Sequence, residues 1–109
     1  RDNWYWERDL SQDKRYSVSA AMLAARARQA FLEYNPLRIA DDNRERIHRT
    51  IPYGPTVEIF ALDLRSYRGA NSANRQTALD DASRIAGAAQ IAELERRLAA
   101  SRATWKVIA

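Results

Sequence analysis

The apolar run Val57-Glu58-Ile59-Phe60-Ala61-Leu62 leads directly into Asp63-Leu64-Arg65-Ser66-Tyr67-Arg68, so an acid, two guanidinium groups and a phenol follow the end of one strand-like segment. Charges that enter at the end of an interior strand must be paired or must face a site, because an unpaired buried charge is very costly. Two readings are open. Asp63 pairs structurally with Arg65 or Arg68 while Tyr67 packs, or Asp63, Arg65, Tyr67 and Arg68 face a ligand at the carboxyl end of the strand, where ligands of α/β sheets usually bind.

Elsewhere the chemistry-bearing residues are sparse. His48 is the one histidine and there is no cysteine, so thiolate metal sites, disulfides and cysteine nucleophiles are excluded within these residues. A lone imidazole in an alternating segment reads as a surface or packing residue. The paired acids Asp41-Asp42 and Asp80-Asp81 lie in polar, capping-rich surroundings and read as helix caps and solvated charges. Gly54, Gly69 and Gly87 are too far apart for a phosphate-cradling loop, and Ser17, Ser19, Ser66 and Ser101 have no accompanying base.

The elements that position these residues follow from periodicity. Residues 17–34 predict a helix with Leu23, Ala27, Ala30, Phe31 and Tyr34 on one face, Ser17 or Ser19 as N-cap, and Asn35-Pro36 as its end. Asp42 and Glu45 have capping-box spacing for one further turn. Ile47 to Tyr53 alternates as a short strand whose Pro52 places it at an edge or a strand end, Gly54-Pro55 turns the chain, and Val57–Leu62 has the composition of a strand buried on both faces. Residues 69–83 form a long polar loop. A second helix over 87–101 carries Ile91, Leu94 and Leu98 on one stripe, with Glu93, Glu95, Arg96 and Arg97 on the other side, and Trp105 to Ala109 begin another strand. Residues 1–16 read as loop, although Trp4, Tyr5 and Trp6 are too apolar to leave in water. This order predicts an α/β fold, a mixed sheet with flanking helices.

The chain has 109 residues, 46% of them hydrophobic, enough for one small domain or part of a larger one. Arg1 at one end and an unfinished strand at the other read as an internal piece. The formal charge of +4 suits an anionic partner, but arginines and acids interleave along the whole chain, so no stripe for specific nucleic-acid binding is expected. No apolar stretch reaches the roughly 18 residues of a transmembrane segment.

A resemblance extends over nearly the whole chain. Ile51-Pro52-Tyr53-Gly54-Pro55-Thr56, Phe60-Ala61-Leu62-Asp63-Leu64-Arg65-Ser66-Tyr67-Arg68-Gly69, Asn74-Arg75, and Ala99 through Ile108 resemble, in order and spacing, consecutive landmarks of PhoD-like alkaline phosphatases. Asp2-Asn3-Trp4 is similar to the residues that follow that family's Asp-Asp-His-Glu metal motif, and Asn35-Pro36-Leu37-Arg38 resembles its proline-arginine element after a helix.

The resemblance implies that residues 1–109 are an internal fragment of a single metallophosphatase domain, a partial calcineurin-like metallophosphoesterase sandwich. It implies hydrolysis of phosphate monoesters or diesters by metal-activated water, with calcium and iron as cofactors and most ligands outside the chain. Asp2 and Asn3 would then adjoin the missing metal motif. Asp63, Arg65, Tyr67 and Arg68 would lie near the site, with Arg65 and Arg68 as candidates to bind substrate by forked hydrogen bonds to phosphate oxygens, or to brace the loop. The implied partners are a phosphate-ester substrate and the remainder of the same domain, and the implied location is extracytoplasmic, periplasmic or secreted. Glu93 departs from the family, which often carries tryptophan at this helix position. The alternative function is a non-catalytic binding or interaction module on the same scaffold.

Overall fold

The computed structural model describes residues 3–39, 43–73 and 75–109. The expected caps Asp41-Asp42, the Asp42–Glu45 capping box, Asp2 and Asn74 lie wholly or partly outside those residues. The elements are helix α1 (Ala20–Tyr34), strands β1 (Arg49–Tyr53) and β2 (Val57–Ala61), helix α2 (Ala88–Ala100) and strand β3 (Trp105–Ile108), with a short 3-10 turn at Asp81–Ser83 before α2.

The sheet is mixed, in the order β1-β2-β3. β1 and β2 pair antiparallel across the Gly54-Pro55 turn, from Arg49↔Ala61 to Tyr53↔Val57. β3 pairs parallel to β2, from Val57↔Trp105 to Phe60↔Ile108, after the chain has crossed over through α2. β2 is therefore central, and Pro52 sits on β1, an edge strand of this sheet, where proline is tolerated.

Directly paired residues share a face of the sheet. One face carries Thr50, Phe60 and Ile108, and there α2 closes over β2: a narrow cleft of about 20 Å³ is lined by Thr50, Phe60, Leu94 and Gln90, among others. Phe60 is 2% exposed. The opposite face carries two apolar rows, Tyr53-Val57-Trp105 and Ile51-Ile59-Val107, in which Tyr53 is 72% and Trp105 67% exposed. The expectation that β2 is buried on both faces is thus met on the α2 side alone, because none of the described elements covers the other.

α1 starts at Ser19, whose hydroxyl accepts a hydrogen bond from the Met22 amide at 3.2 Å. It ends at Asn35, whose amide still bonds to the Phe31 carbonyl before Pro36. Of its expected face only Leu23 is covered, and the coverage lies on the first half of the helix. Ala20 and Ala24 are buried and Leu23 is half-buried, whereas Ala27, Ala30, Phe31 and Tyr34 are exposed. Residues 3–16 pack on that first half through tight turns, in one of which the Arg15 side chain holds the Asp13 carboxyl down at about 2 by hydrogen bonding. Trp4, Leu10, Tyr16, Leu23 and Ala24 line an open cavity of about 220 Å³ between the two segments.

α2 keeps Leu94 and Leu98 of its expected stripe half-buried, but it is rotated so that polar residues join them and Ile91 does not. Gln90 is 2% exposed and Glu93 is half-buried, while Ile91 is 38% exposed. Glu93 and Arg97 were expected on the outer side, yet both line the cleft against the sheet. Hydrogen bonding by Gln90 to the end of β2 fixes this rotation of the helix, as the site geometry shows.

Candidate functional site at the end of the central strand

Past Ala61 the chain leaves the sheet, and its first two polar groups are satisfied in different ways. Leu62 donates its amide to the Ala109 carbonyl at 2.7 Å, continuing the parallel ladder. Asp63, 6% exposed, is held by Gln90 of α2: its amide donates to Gln90 Oε1 at 2.7 Å, and its carbonyl accepts from Gln90 Nε2 at 3.0 Å. A side-chain amide thus replaces the neighbouring strand that the backbone has lost, as buried backbone groups require.

The Asp63 carboxylate points along its own chain. Oδ1 accepts from the amides of Arg65 and Ser66, both at 2.9 Å, which closes an aspartate turn. Asp63 therefore sets the loop through backbone amides rather than through an Arg65 or Arg68 guanidinium. The turn leaves Arg65 exposed, with Nη1 3.4 Å from Asn3 Oδ1, so the segment after the expected metal motif and the strand end meet at this pair. Arg68 turns away, its Nε donating to Asn71 Oδ1 at 3.1 Å.

Ser66 is held on all sides. Its carbonyl accepts from Trp6 Nε1 at 2.7 Å, and its hydroxyl accepts from Arg28 Nη2 at 2.9 Å. The Arg28 guanidinium also lies over the Trp6 ring, 4.9 Å from its centroid, and pairs with Glu45 at 2.9 Å. Trp6 in turn meets Trp4 edge to face at 5.9 Å. Two of the aromatics that the sequence could not place are thereby accounted for.

Tyr67 packs inward. Its hydroxyl lies 3.4 Å from His48 Nδ1, and the other imidazole nitrogen lies 3.6 Å from Glu93, which also faces Arg97 at 3.5 Å. His48, with a side chain 12% exposed, is the packing imidazole the sequence suggested, and Glu93 takes part in the polar row beneath it. Burial, and after it the negative charge of Asp63, pushes the Tyr67 phenol above its ordinary pKa. Two glycines make the loop possible by close approach. A Cβ on Gly87 would sit 3.0 Å from the Tyr67 ring, and one on Gly69 would sit 1.9 Å from the Asp81 carbonyl oxygen. Gly69 and Asn71 bond back to Arg84 and Ala82, so the long polar loop closes on itself through the 3-10 turn that Asp80 caps.

Of the residues singled out in sequence, Asp63, Arg65 and Asn3 come together, Tyr67 lies beneath them in the His48 row, and Arg68 stands apart. Gln90, Arg28 and Trp6 carry no motif. For Gln90 and Arg28 the one signal is a polar residue on a helix face otherwise apolar, Gln90 four before Leu94 and Arg28 four after Ala24, and for Trp6 it is the apolar cluster with Trp4 and Tyr5. Among the described residues no three His, Cys, Asp or Glu side chains converge to hold a metal ion, and the buried carboxylate of Asp63 spends an oxygen on two amides. These residues do not by themselves fit a metal centre. No described helix is long and apolar enough to cross a membrane.

The described residues thus form a mixed α/β sheet with a polar loop at the carboxyl end of its central strand. The family model described as PhoD-like phosphatase matches residues 1–109, and the chain belongs to that family. No curated protein and no solved structure matches it.

Proposed function

We propose that this chain forms the phosphate-binding wall of a phosphoesterase site, with Arg65 as the residue that binds oxygens of the phosphoryl group. One observation carries the reading: the aspartate turn at Asp63 presents an exposed Arg65 guanidinium beside Asn3, at the carboxyl end of the central strand. A guanidinium offers paired N–H donors to two oxygens of one phosphate. In ester hydrolysis water attacks phosphorus, the P–O bond to the alcohol breaks, and the alcohol leaves with a proton. Negative charge on the non-bridging oxygens is what Arg65 would bind.

Monoesters and diesters both carry that group. The iron and calcium that the family resemblance implies would take most of their ligands from residues outside 1–109, and the same resemblance supports a location outside the cytoplasm. Its uncovered sheet face, with Tyr53 and Trp105 exposed beside Ile51 and Val107, supports packing against the remainder of the same domain.

The test is turnover of a chromogenic phosphate ester by the full-length protein. Arg65→Ala is expected to lower kcat/KM by about 100-fold, the scale of losing one preorganised donor to a developing anion. Arg65→Lys restores little, because an ammonium lacks the fork, and Arg68→Ala changes little. Wild-type turnover by Arg65→Ala would overturn the assignment.

A further inference from the structure

We infer that Arg28 of α1 is a positioning residue for the phosphoester reaction, acting through Ser66 on Arg65; this rests on the reading of Arg65 just given. Ser66 follows Arg65, and three of its polar groups are fixed by three segments. Its amide is held by Asp63 Oδ1 at 2.9 Å, its carbonyl by Trp6 Nε1 at 2.7 Å and its hydroxyl by Arg28 Nη2 at 2.9 Å. Arg28 supplies the tie to α1, and its planar face rests on the same Trp6 that holds the Ser66 carbonyl. The segment Asn3 to Trp6 therefore reaches the strand-end loop twice, through Asn3 to Arg65 and through Trp6 to Ser66, and Arg28 braces the second contact.

The brace is not what packing alone would select. The Arg28 side chain is 15% exposed, and its Nε–H is buried without a hydrogen-bond partner among the described residues. A buried cation with an unmet donor costs stability, and an apolar side chain of similar length would remove that cost. Glu45, its ion-pair partner, is 76% exposed and would be solvated without it. What an apolar replacement cannot supply is the donor to Ser66 Oγ. That donor fixes the backbone carrying Arg65, where a small displacement misplaces a phosphate-binding fork.

The test compares Arg28→Met, Ser66→Ala, Ser66→Thr and Arg65→Ala with the wild-type full-length protein, by ester turnover, by calorimetric affinity for inorganic phosphate and by thermal melting. Arg28→Met is expected to melt close to wild type while kcat/KM falls by about 10- to 100-fold, the range that a misplacement of about 1 Å produces. Ser66→Ala should show the same pattern, and Ser66→Thr, which keeps the hydroxyl, should recover most of the activity. Phosphate affinity falls in parallel. The double variant Arg28→Met with Arg65→Ala should lose no more than Arg65→Ala alone, since the two act as one unit. Multiplying losses, or a wild-type kcat/KM in both Arg28→Met and Ser66→Ala, overturns the positioning role and leaves the proposed function standing. Full activity of Arg65→Ala overturns the proposed function and this inference together. Should Arg28→Met fail to fold, Ser66→Ala, which removes a single oxygen atom, decides the question.

Discussion

The side-chain amide of Gln90 pairs with the backbone of Asp63 on both edges, donating to its carbonyl at 3.0 Å and accepting from its amide at 2.7 Å. α2 is thereby locked to the end of β2 at the point where the sheet ends and the candidate site begins. Gln90→Leu keeps the volume but strands both backbone groups in a buried place. The expected loss is about 2–6 kcal/mol, from two unsatisfied groups at roughly 1–3 kcal/mol each. Gln90→Glu should lose nearly as much, because a carboxylate cannot donate to the Asp63 carbonyl. Denaturant unfolding of the full-length variants measures both, and wild-type stability in Gln90→Leu would show the pair to be dispensable.

Gly69 is the closure of the polar loop. An added Cβ would lie 1.9 Å from the Asp81 carbonyl oxygen, a backbone atom that no side-chain motion can move aside. Gly69→Ala is expected to cost about 1–3 kcal/mol, the range for overpacking, and to raise protease sensitivity within residues 69–84. An unchanged cleavage pattern and melting temperature would contradict the close approach.

Tyr67 gives the fold an alkaline limit. Its folded pKa is raised by burial first and by Asp63 second. The neutral phenol is therefore favoured by folding: its contribution is fully present below the unfolded value of about 10 and is lost as pH rises through the higher folded value. Tyr67→Phe should flatten the decline of melting temperature in that alkaline window while leaving neutral pH less affected. An identical alkaline profile for both proteins would refute the assignment.

The 109-residue chain alone is expected to melt broadly and to enhance the fluorescence of an apolar dye, because Tyr53, Trp105, Val107 and Ile108 lie exposed around the sheet. It is also expected to hydrolyse no chromogenic phosphate ester with any added divalent metal. A sharp cooperative melt would argue against the first expectation, and metal-dependent turnover would remove the second.

By itself the sequence determined the elements and the family. Helical periodicity with Ser19 and Pro36 at its limits fixed α1 to within a few residues, and alternation around a Gly-Pro turn fixed the hairpin, because these are local preferences of the backbone. The acid-arginine-tyrosine-arginine stretch after an apolar strand marked the place where chemistry would gather. Only the tertiary structure decided what each of those residues does. Which residue satisfies the Asp63 backbone, whether Arg65 or Arg68 reaches Asn3, and that Gln90 rather than Ile91 faces inward depend on contacts between residues dozens of positions apart. Such contacts leave no period in the chain: a polar side chain that satisfies a buried strand end has no local signature until the helix bearing it is seated against that strand.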